Sequence, residues 1–461
     1  MNFSKDAYVR DVISSGEKNI FTEQVGVFAP FISVDNQRYK EIREKTSPFS
    51  IRDFEKRTAN MMVDKTRGAI GLTLKYAQSF FPAYKFYISE FLNDEWLAAV
   101  DWHKGFHRDH VIHQPYVAYI GMTLLHDKGE IFGSSVLCGK SLLDKCIDTI
   151  LEQRHCEYLM EYLKEMGAPS IYWNYENHGQ LTRELWKWMF VDTFFMAALF
   201  HDIGYPWKFI NAIHGKLDPH APLENPAQKN AKQIAVSYGD RLVFYPLNNY
   251  RKKSPSTPAD WQSRFNELVQ KGLAETHGMP GAISFLHLND LLAKYPAKTA
   301  SPARRFCVEW AAMAILMHDM SGIYSKIDDR FGSLSMKVNN PQLRVSFLRD
   351  PLSFVLTLSD LIEDFGRPNA RFVKTRSQND NDKVEIVYYS KCSSVDVECD
   401  KQGRMKIKYK FNNKADVAQK RIQFIPKETL QYFDPIEGYL DYRGSGIKSV
   451  KLLAEFENNN N

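Results

Sequence analysis

The sequence is poor in cysteine, close to neutral in net charge, and without a long uninterrupted apolar run. Each shortage removes a class of protein. Six cysteines in 461 residues are no disulfide scaffold, and none of them forms a Cys-x-x-Cys pair. A finger-type structural zinc site is therefore not expected, and the reduced cytoplasm fits best. The longest apolar run, Trp188 to Phe200, is 13 residues and contains Asp192, too short and too polar to span a bilayer. The first residues, Met1 to Ala7, hold no apolar signal core. A cytoplasmic protein with no membrane partner is the expectation. The 60 basic and 55 acidic residues leave +5, not the balance of a nucleic-acid-coating protein. No repeat of roughly 20–50 residues stands out. There is no Walker loop, Rossmann glycine motif or Gly-x-Ser-x-Gly elbow.

What is present is ordinary for a globular chain: 44% hydrophobic, 13% aromatic and 25% charged residues, which rules out wholesale disorder. At about 100–200 residues per domain the length predicts two or three domains, or one large domain with appendages. The pattern divides the chain in three. Residues 1–95 are mixed, with possible helices at Val63 to Phe81 and Phe86 to Val100. Residues 96–370 are predicted to be helical, with segments at His110–Leu125, Leu181–Phe200, Trp261–Lys271, Gly281–Tyr295, Pro302–Met320 and Pro351–Phe365. A polar, proline-rich stretch at about 214–262 interrupts them and reads as a lid or insertion. Residues 371–461 read as a small α+β appendage with strands at Lys383–Ser390 and Met405–Phe411. The expected fold class is mainly α, with a frayed tail at 458–461.

Chemistry concentrates where polar residues interrupt apolar helices. The dipeptide His-Asp occurs three times, as His126-Asp127, His201-Asp202 and His318-Asp319, and context separates them. His201-Asp202 follows Phe194-Phe195-Met196-Ala197-Ala198-Leu199-Phe200. An ionised Asp beside such a run is costly unless paired, hydrogen-bonded or bound to metal. The plain alternative is a helix-terminal His with a solvated Asp. His113 lies on a half-apolar helix, as a ligand or as a satisfied core histidine. Asp360 interrupts Phe354–Ile362 and needs a strong partner, a metal or a buried salt bridge. His318 follows Ala311–Met317, and His277 sits at a loop-to-helix junction. Asp192 also interrupts an apolar run, but it lies nine residues before His201. That spacing turns it to the opposite side of the helix, and it reads as a structural acid.

In order, His113, His201-Asp202, His277, His318 and Asp360 resemble the HD-domain superfamily of metal-dependent phosphohydrolases. His113-Gln114-x-x-Val117 matches the first element, and Phe200-His201-Asp202-Ile203-Gly204-Tyr205-Pro206 matches the second. His277-Gly278 and Ala314–His318 are similar to the third and fourth. Leu358-Ser359-Asp360-Leu361-Ile362 through Gly366-Arg367-Pro368 is similar to the fifth in a bacterial branch. The family often has Lys after His-Asp-x-Gly, where this chain has Tyr205, and the spacing from His201 to His277 is long. The resemblance implies an HD-type helical bundle over about residues 95–370. It assigns His113, His201, Asp202 and Asp360 to one metal. Asp202 would bridge to a second metal, also held by His277 and His318.

His and carboxylate ligands without thiolate suit Mn, Fe, Co, Ni or Zn, as one or two ions. The implied activity is hydrolysis of a phosphoester, of a nucleotide or related small molecule, by a metal-activated hydroxide. Asp202 is central to it, and His110, one turn before His113, is the candidate acid, with a surface histidine as the alternative. Lys208 and Arg367 are candidate phosphate-binding residues, with solvated charges as the alternative. Two other readings stay open: a non-catalytic nucleotide-binding sensor or scaffold, and an HD-fold di-iron oxygenase. The lysine-faced strand Lys406 to Lys410 reads as a lysine-guarded edge strand, with a nucleic-acid contact as the weaker alternative. A homo-oligomer is compatible with the sequence.

Overall fold

The structure is a computed structural model. It describes residues 1–11, 110–127, 129–133, 136–152, 156–205, 277–294, 302–319, 345–365, 370–375, 383–388, 392–418, 420–421 and 440–457. The expected helices at Val63–Phe81, Phe86–Val100 and Trp261–Lys271, the insertion at 214–262, and residues Lys208 and Arg367 lie outside the described residues.

The described chain is mainly helical with a smaller strand region. It begins with strand β1 (Asn2–Ser4) and the short helix α1 (Lys5–Val9), capped by the Ser4 hydroxyl. Helices α2 (His110–His126), α3 (Leu142–Leu151), α4 (Glu157–Glu165), α5 (Ser170–Trp173) and α6 (Tyr175–His178) follow. Then come α7 (Gln180–Phe200), α8 (Gly278–Lys294), α9 (Pro302–His318), the two-residue strand β2 (Val345–Ser346) and α10 (Pro351–Ile362). The expected helices from the 110, 181, 281, 302 and 351 regions are all present, with ends shifted by a few residues. The sequence reading contained neither α3 nor α4. Serine and aspartate close a capping box at the start of α3, Ser141 with Asp144.

Helix α7 is the central post. It packs against α2, α9 and α10, while α9 also packs against α8 and α10, and α10 against α2. Its buried side chains run continuously from Thr193 to Phe200. A helix apolar all round its end is a helix surrounded by others. Gly121 sets how close three of them come. A Cβ there would lie 1.9 Å from the Phe194 ring and 2.7 Å from Ser359 Oγ, so α2, α7 and α10 meet closely at this glycine. Asp192 is half-way along α7 and pairs with Arg304 of α9 at 3.2 Å, the structural role expected of it. Helix α10 starts from Asp350, fully buried, whose carboxylate accepts from the Ser353 amide and hydroxyl and from Trp310 Nε1.

The second part is a four-stranded sheet in the order β1-β5-β6-β8, with β5 at Cys392–Cys399, β6 at Arg404–Phe411 and β8 at Ser449–Phe456. β5 and β6 are antiparallel, β6 and β8 parallel, and β1 lies antiparallel to β5 with Phe3 opposite Val395. Strands β3 (Ala370–Thr375) and β4 (Lys383–Tyr388) form an antiparallel pair, and β2 pairs parallel with β7 (Leu440–Asp441). The lysine-faced strand is therefore not an edge. β6 lies between β5 and β8, and its lysines meet carboxylates on β5: Lys408 with Glu398 at 2.9 Å and Lys410 with Asp396 at 2.6 Å. Its alternation of lysine and apolar residues is that of a half-buried central strand, because Met405, Ile407, Tyr409 and Phe411 all face the core.

One continuous set of buried apolar side chains includes the helices and the sheet. The Tyr409 hydroxyl donates to the Leu361 carbonyl at the end of α10, at 2.5 Å. Phe3 and Tyr8 pack edge-on to Tyr116 and Tyr119 of α2. All six cysteines are free thiols. Among the described residues, no helix is long and apolar enough to cross a membrane.

Candidate metal centre

Helix ends bring the histidines and aspartates together. His201 caps the C-terminus of α7, His318 is the last residue of α9, and Asp360 lies in the last turns of α10. His113 sits in the first turns of α2, and His277 immediately precedes α8. Three C-terminal helix ends therefore face one point. The carbonyl ends of helices carry partial negative charge and favour a cation.

The turn after α7 makes the convergence possible. Gly204 allows the backbone of the His201–Tyr205 turn to lie on the start of α8. A Cβ there would be 1.9 Å from the His277 carbonyl oxygen and 2.6 Å from the Gly281 nitrogen. Gly278 does the same for α8 against α9, where a Cβ would be 2.8 Å from the Leu316 carbonyl oxygen. These close backbone approaches bring His277 to within reach of both Asp202 and His318.

Four imidazoles point their Nε2 atoms inward. His113 and His201 are 3.2 Å apart at Nε2, and His277 and His318 are 2.9 Å apart. Asp202 Oδ1 lies 3.1 Å from His277 Nε2, 3.4 Å from His201 Nε2 and 3.8 Å from His318 Nε2, while Oδ2 lies 3.8 Å from His113 Nε2. Asp360 Oδ1 is 2.9 Å from His113 Nε2 and 3.6 Å from His201 Nε2. Only Asp360 among the six is more than slightly exposed, at 28% of its side chain.

The outer ring nitrogens fix the tautomers. His201 Nδ1 donates to the Ala198 carbonyl at 2.8 Å and His318 Nδ1 to the Ile315 carbonyl at 2.6 Å. His113 Nδ1 faces Glu363 Oε2, and His277 Nδ1 faces Asp319 Oδ2 at 2.7 Å. With Nδ1 hydrogen-bonded outward on His113, His201 and His318, and turned toward the Asp319 carboxylate on His277, the Nε2 atoms face one another and two carboxylates. Lone pairs at 2.9–3.2 Å repel unless a proton or a metal cation lies among them.

The electrostatics follow from burial and these partners. Burial pushes the His201 imidazole below its ordinary value, against the pull of Asp202 and Asp360. Burial acts on His277 in the same sense, but Asp319, Tyr205 and Asp202 outweigh it and raise that ring well above the ordinary range. Burial pushes the Asp319 carboxyl up, and His277 beside it more than reverses this and holds it at about 2.

The structure places all six predicted ligands together. Three overlapping groups each have ligand atoms within 4.8 Å of one another: His113, His201 and Asp202; His201, His318 and Asp360; Asp202, His277 and His318. This donor set of imidazole and carboxylate without sulfur suits a divalent transition ion. His110 is on α2, but its side chain is outside the described residues, as are Lys208 and Arg367. Tyr205, which stands where the resemblance expects lysine, stacks on the His277 ring with centroids 4.0 Å apart. Sequence reasoning missed Glu363 and Asp319. Asp319 belongs to the third His-Asp dipeptide, and Glu363 follows Asp360 by one helical turn. Both signals were in view and neither is distinctive alone.

The fold and the site together define a mainly helical protein with a buried His/Asp constellation suited to a metal ion. No family model matches the chain, and no curated protein or solved structure matches it at a significant level.

Proposed function

We propose that this chain is a metal-dependent phosphohydrolase of the HD type, acting on a nucleotide or a related small phosphoester. The observation that carries the reading is the convergence of six residues from five separate segments, in the order His113, His201-Asp202, His277, His318 and Asp360, on one buried point. His113, His201, Asp202 and Asp360 would hold one ion, and Asp202, His277 and His318 a second. Two such ions supply a water-derived nucleophile at neutral pH and neutralise charge on a phosphoryl group. Asp202 is suited to bridging because its two oxygens face different histidines. Asp360, the exposed member of the set, marks the side from which a substrate would approach. His110, three residues before His113 on the same helix face, is the candidate acid for the leaving oxygen. Lys208 and Arg367, close in sequence to ligands, are the candidate phosphate contacts.

Elemental mass spectrometry of the purified protein beside Asp202→Ala tests this reading. One to two equivalents of transition metal in the parent and loss in the variant are expected, followed by phosphate release from a phosphoester panel with that metal. No metal in either protein, even after incubation with Mn or Fe, overturns the reading. Iron with oxygen consumption and no phosphate release replaces it with an oxygenase. Nucleotide binding without turnover replaces it with a sensor.

A further inference from the structure

Two carboxylates stand behind the candidate ligands, Glu363 buried and Asp319 partly exposed. Glu363, its side chain fully buried, receives the His113 Nδ1 proton. Asp319 Oδ2 accepts the backbone N–H of His277 at 2.9 Å and lies 2.7 Å from its ring Nδ1 as an ion-pair contact. His201 and His318 use backbone carbonyls for the same purpose. The anionic supports are thus divided, one to each half of the cluster. Neither carboxylate belongs to a ligand-capable group among the described residues. Each occupies the far side of a ring whose Nε2 faces the centre.

We propose that Glu363 and Asp319 are positioning residues for two different ion positions. Glu363 supports the one built from His113, His201, Asp202 and Asp360, and Asp319 the one built from Asp202, His277 and His318. The proposal rests on the metal-centre reading above. A carboxylate behind a ligating imidazole fixes the Nδ1–H tautomer, aims Nε2 and strengthens it as a donor. Its removal costs about 10- to 100-fold in metal affinity. A backbone carbonyl does the first two of these but adds no full charge. On this account each half of the cluster depends on its one anionic support.

The test is cobalt(II) titration of the metal-free full-length protein, followed by visible absorption of the bound ion and by equivalents retained on dialysis. The parent is expected to bind two equivalents. Asp319→Asn and Glu363→Gln keep shape and lose charge. Each is expected to weaken one equivalent by about 10- to 100-fold and leave the other within about threefold, with the two variants changing different parts of the cobalt spectrum. Asp319→Glu, with the charge restored, is expected to recover part of the loss. A purely structural role would leave it no better than Asp319→Asn. Melting of the metal-free variants within a few degrees of the parent shows that folding is not the cause. If Asp319→Asn does not fold, Glu363→Gln and Asp319→Glu still decide the question. A parent that binds no cobalt overturns the metal-centre reading itself. A parent that binds while both variants match it overturns the positioning role alone. A parent limited to one equivalent, or variants that weaken both equivalents alike, overturns the division between two positions.

Discussion

Gly204→Ala is the substitution that most directly tests how the centre is assembled. The added Cβ would lie 1.9 Å from the His277 carbonyl oxygen and 2.6 Å from the Gly281 nitrogen. Both are backbone atoms, so no side-chain rotation relieves the clash. Since ordinary contact begins at 3.4 Å, one of the two segments must retreat by roughly 1 Å or more, at an overpacking cost of about 1–3 kcal/mol. The two segments carry Asp202 and His277, now 3.1 Å apart from Oδ1 to Nε2, so their separation disturbs that pair. Metal–ligand distances tolerate only about 0.2 Å. An ion held by Asp202, His277 and His318 is expected to bind more than about tenfold more weakly, which is more than about 1.4 kcal/mol. Metal titration with elemental analysis reads the affinity, and urea denaturation of the metal-free protein reads the stability. A variant with parental metal capacity and an unchanged urea midpoint would refute the claim that Gly204 brings the two segments into register.

Other outcomes follow from the same packing. Gly121→Ala meets side-chain atoms, the Phe194 ring and Ser359 Oγ, which can turn aside. It is expected to lose about 1–3 kcal/mol in urea denaturation while keeping its metal. Glu309, buried in α9, has its carboxyl pushed up by burial from 4.5 to about 8. The folded state therefore keeps a proton that the unfolded chain releases from about pH 4.5 upward, and this group's contribution to stability falls as pH rises from there to about 8. Glu309→Gln is expected to flatten that slope and to gain up to about 3 kcal/mol at pH 7. Urea midpoints at pH 5 and pH 8 check it, and equal slopes in parent and variant would contradict it. Tyr409→Phe removes the donor to the Leu361 carbonyl and is expected to cost about 1–2 kcal/mol, read by thermal unfolding.

Much of the helical frame was legible because burial leaves a periodic mark. The run from Phe194 to Phe200 announces a surrounded helix, and Gly204 soon after it announces the turn. Of the six candidate ligands, His201, Asp202 and His318 were legible at the ends of such runs, Asp360 within one, His113 on a half-apolar helix and His277 at a loop-to-helix junction, and their order carried the resemblance. Local pattern could not reveal partners distant in sequence. Asp319 and Glu363 are ordinary acids until His277 and His113, 42 and 250 residues away, are seen against them. Strand β1 has three residues and no measurable period. Its pairing with β5 joins residues nearly four hundred positions apart. The lysine-faced strand shows the same limit: edge and central strands can share one alternation, and only the neighbours on either side distinguish them.

By itself, then, the sequence determined the long apolar helices, which residues interrupt them, and that imidazole and carboxylate rather than thiolate would supply any metal ligands. These depend on periodicity and chemical type, which are properties of short stretches. Tertiary structure alone decided that three helix C-termini meet at one point, that both oxygens of Asp202 face histidines, and that Glu363 and Asp319 stand beside His113 and His277. Those depend on backbone segments approaching as closely as Gly121, Gly204 and Gly278 permit, and such distances arise only when the helices pack.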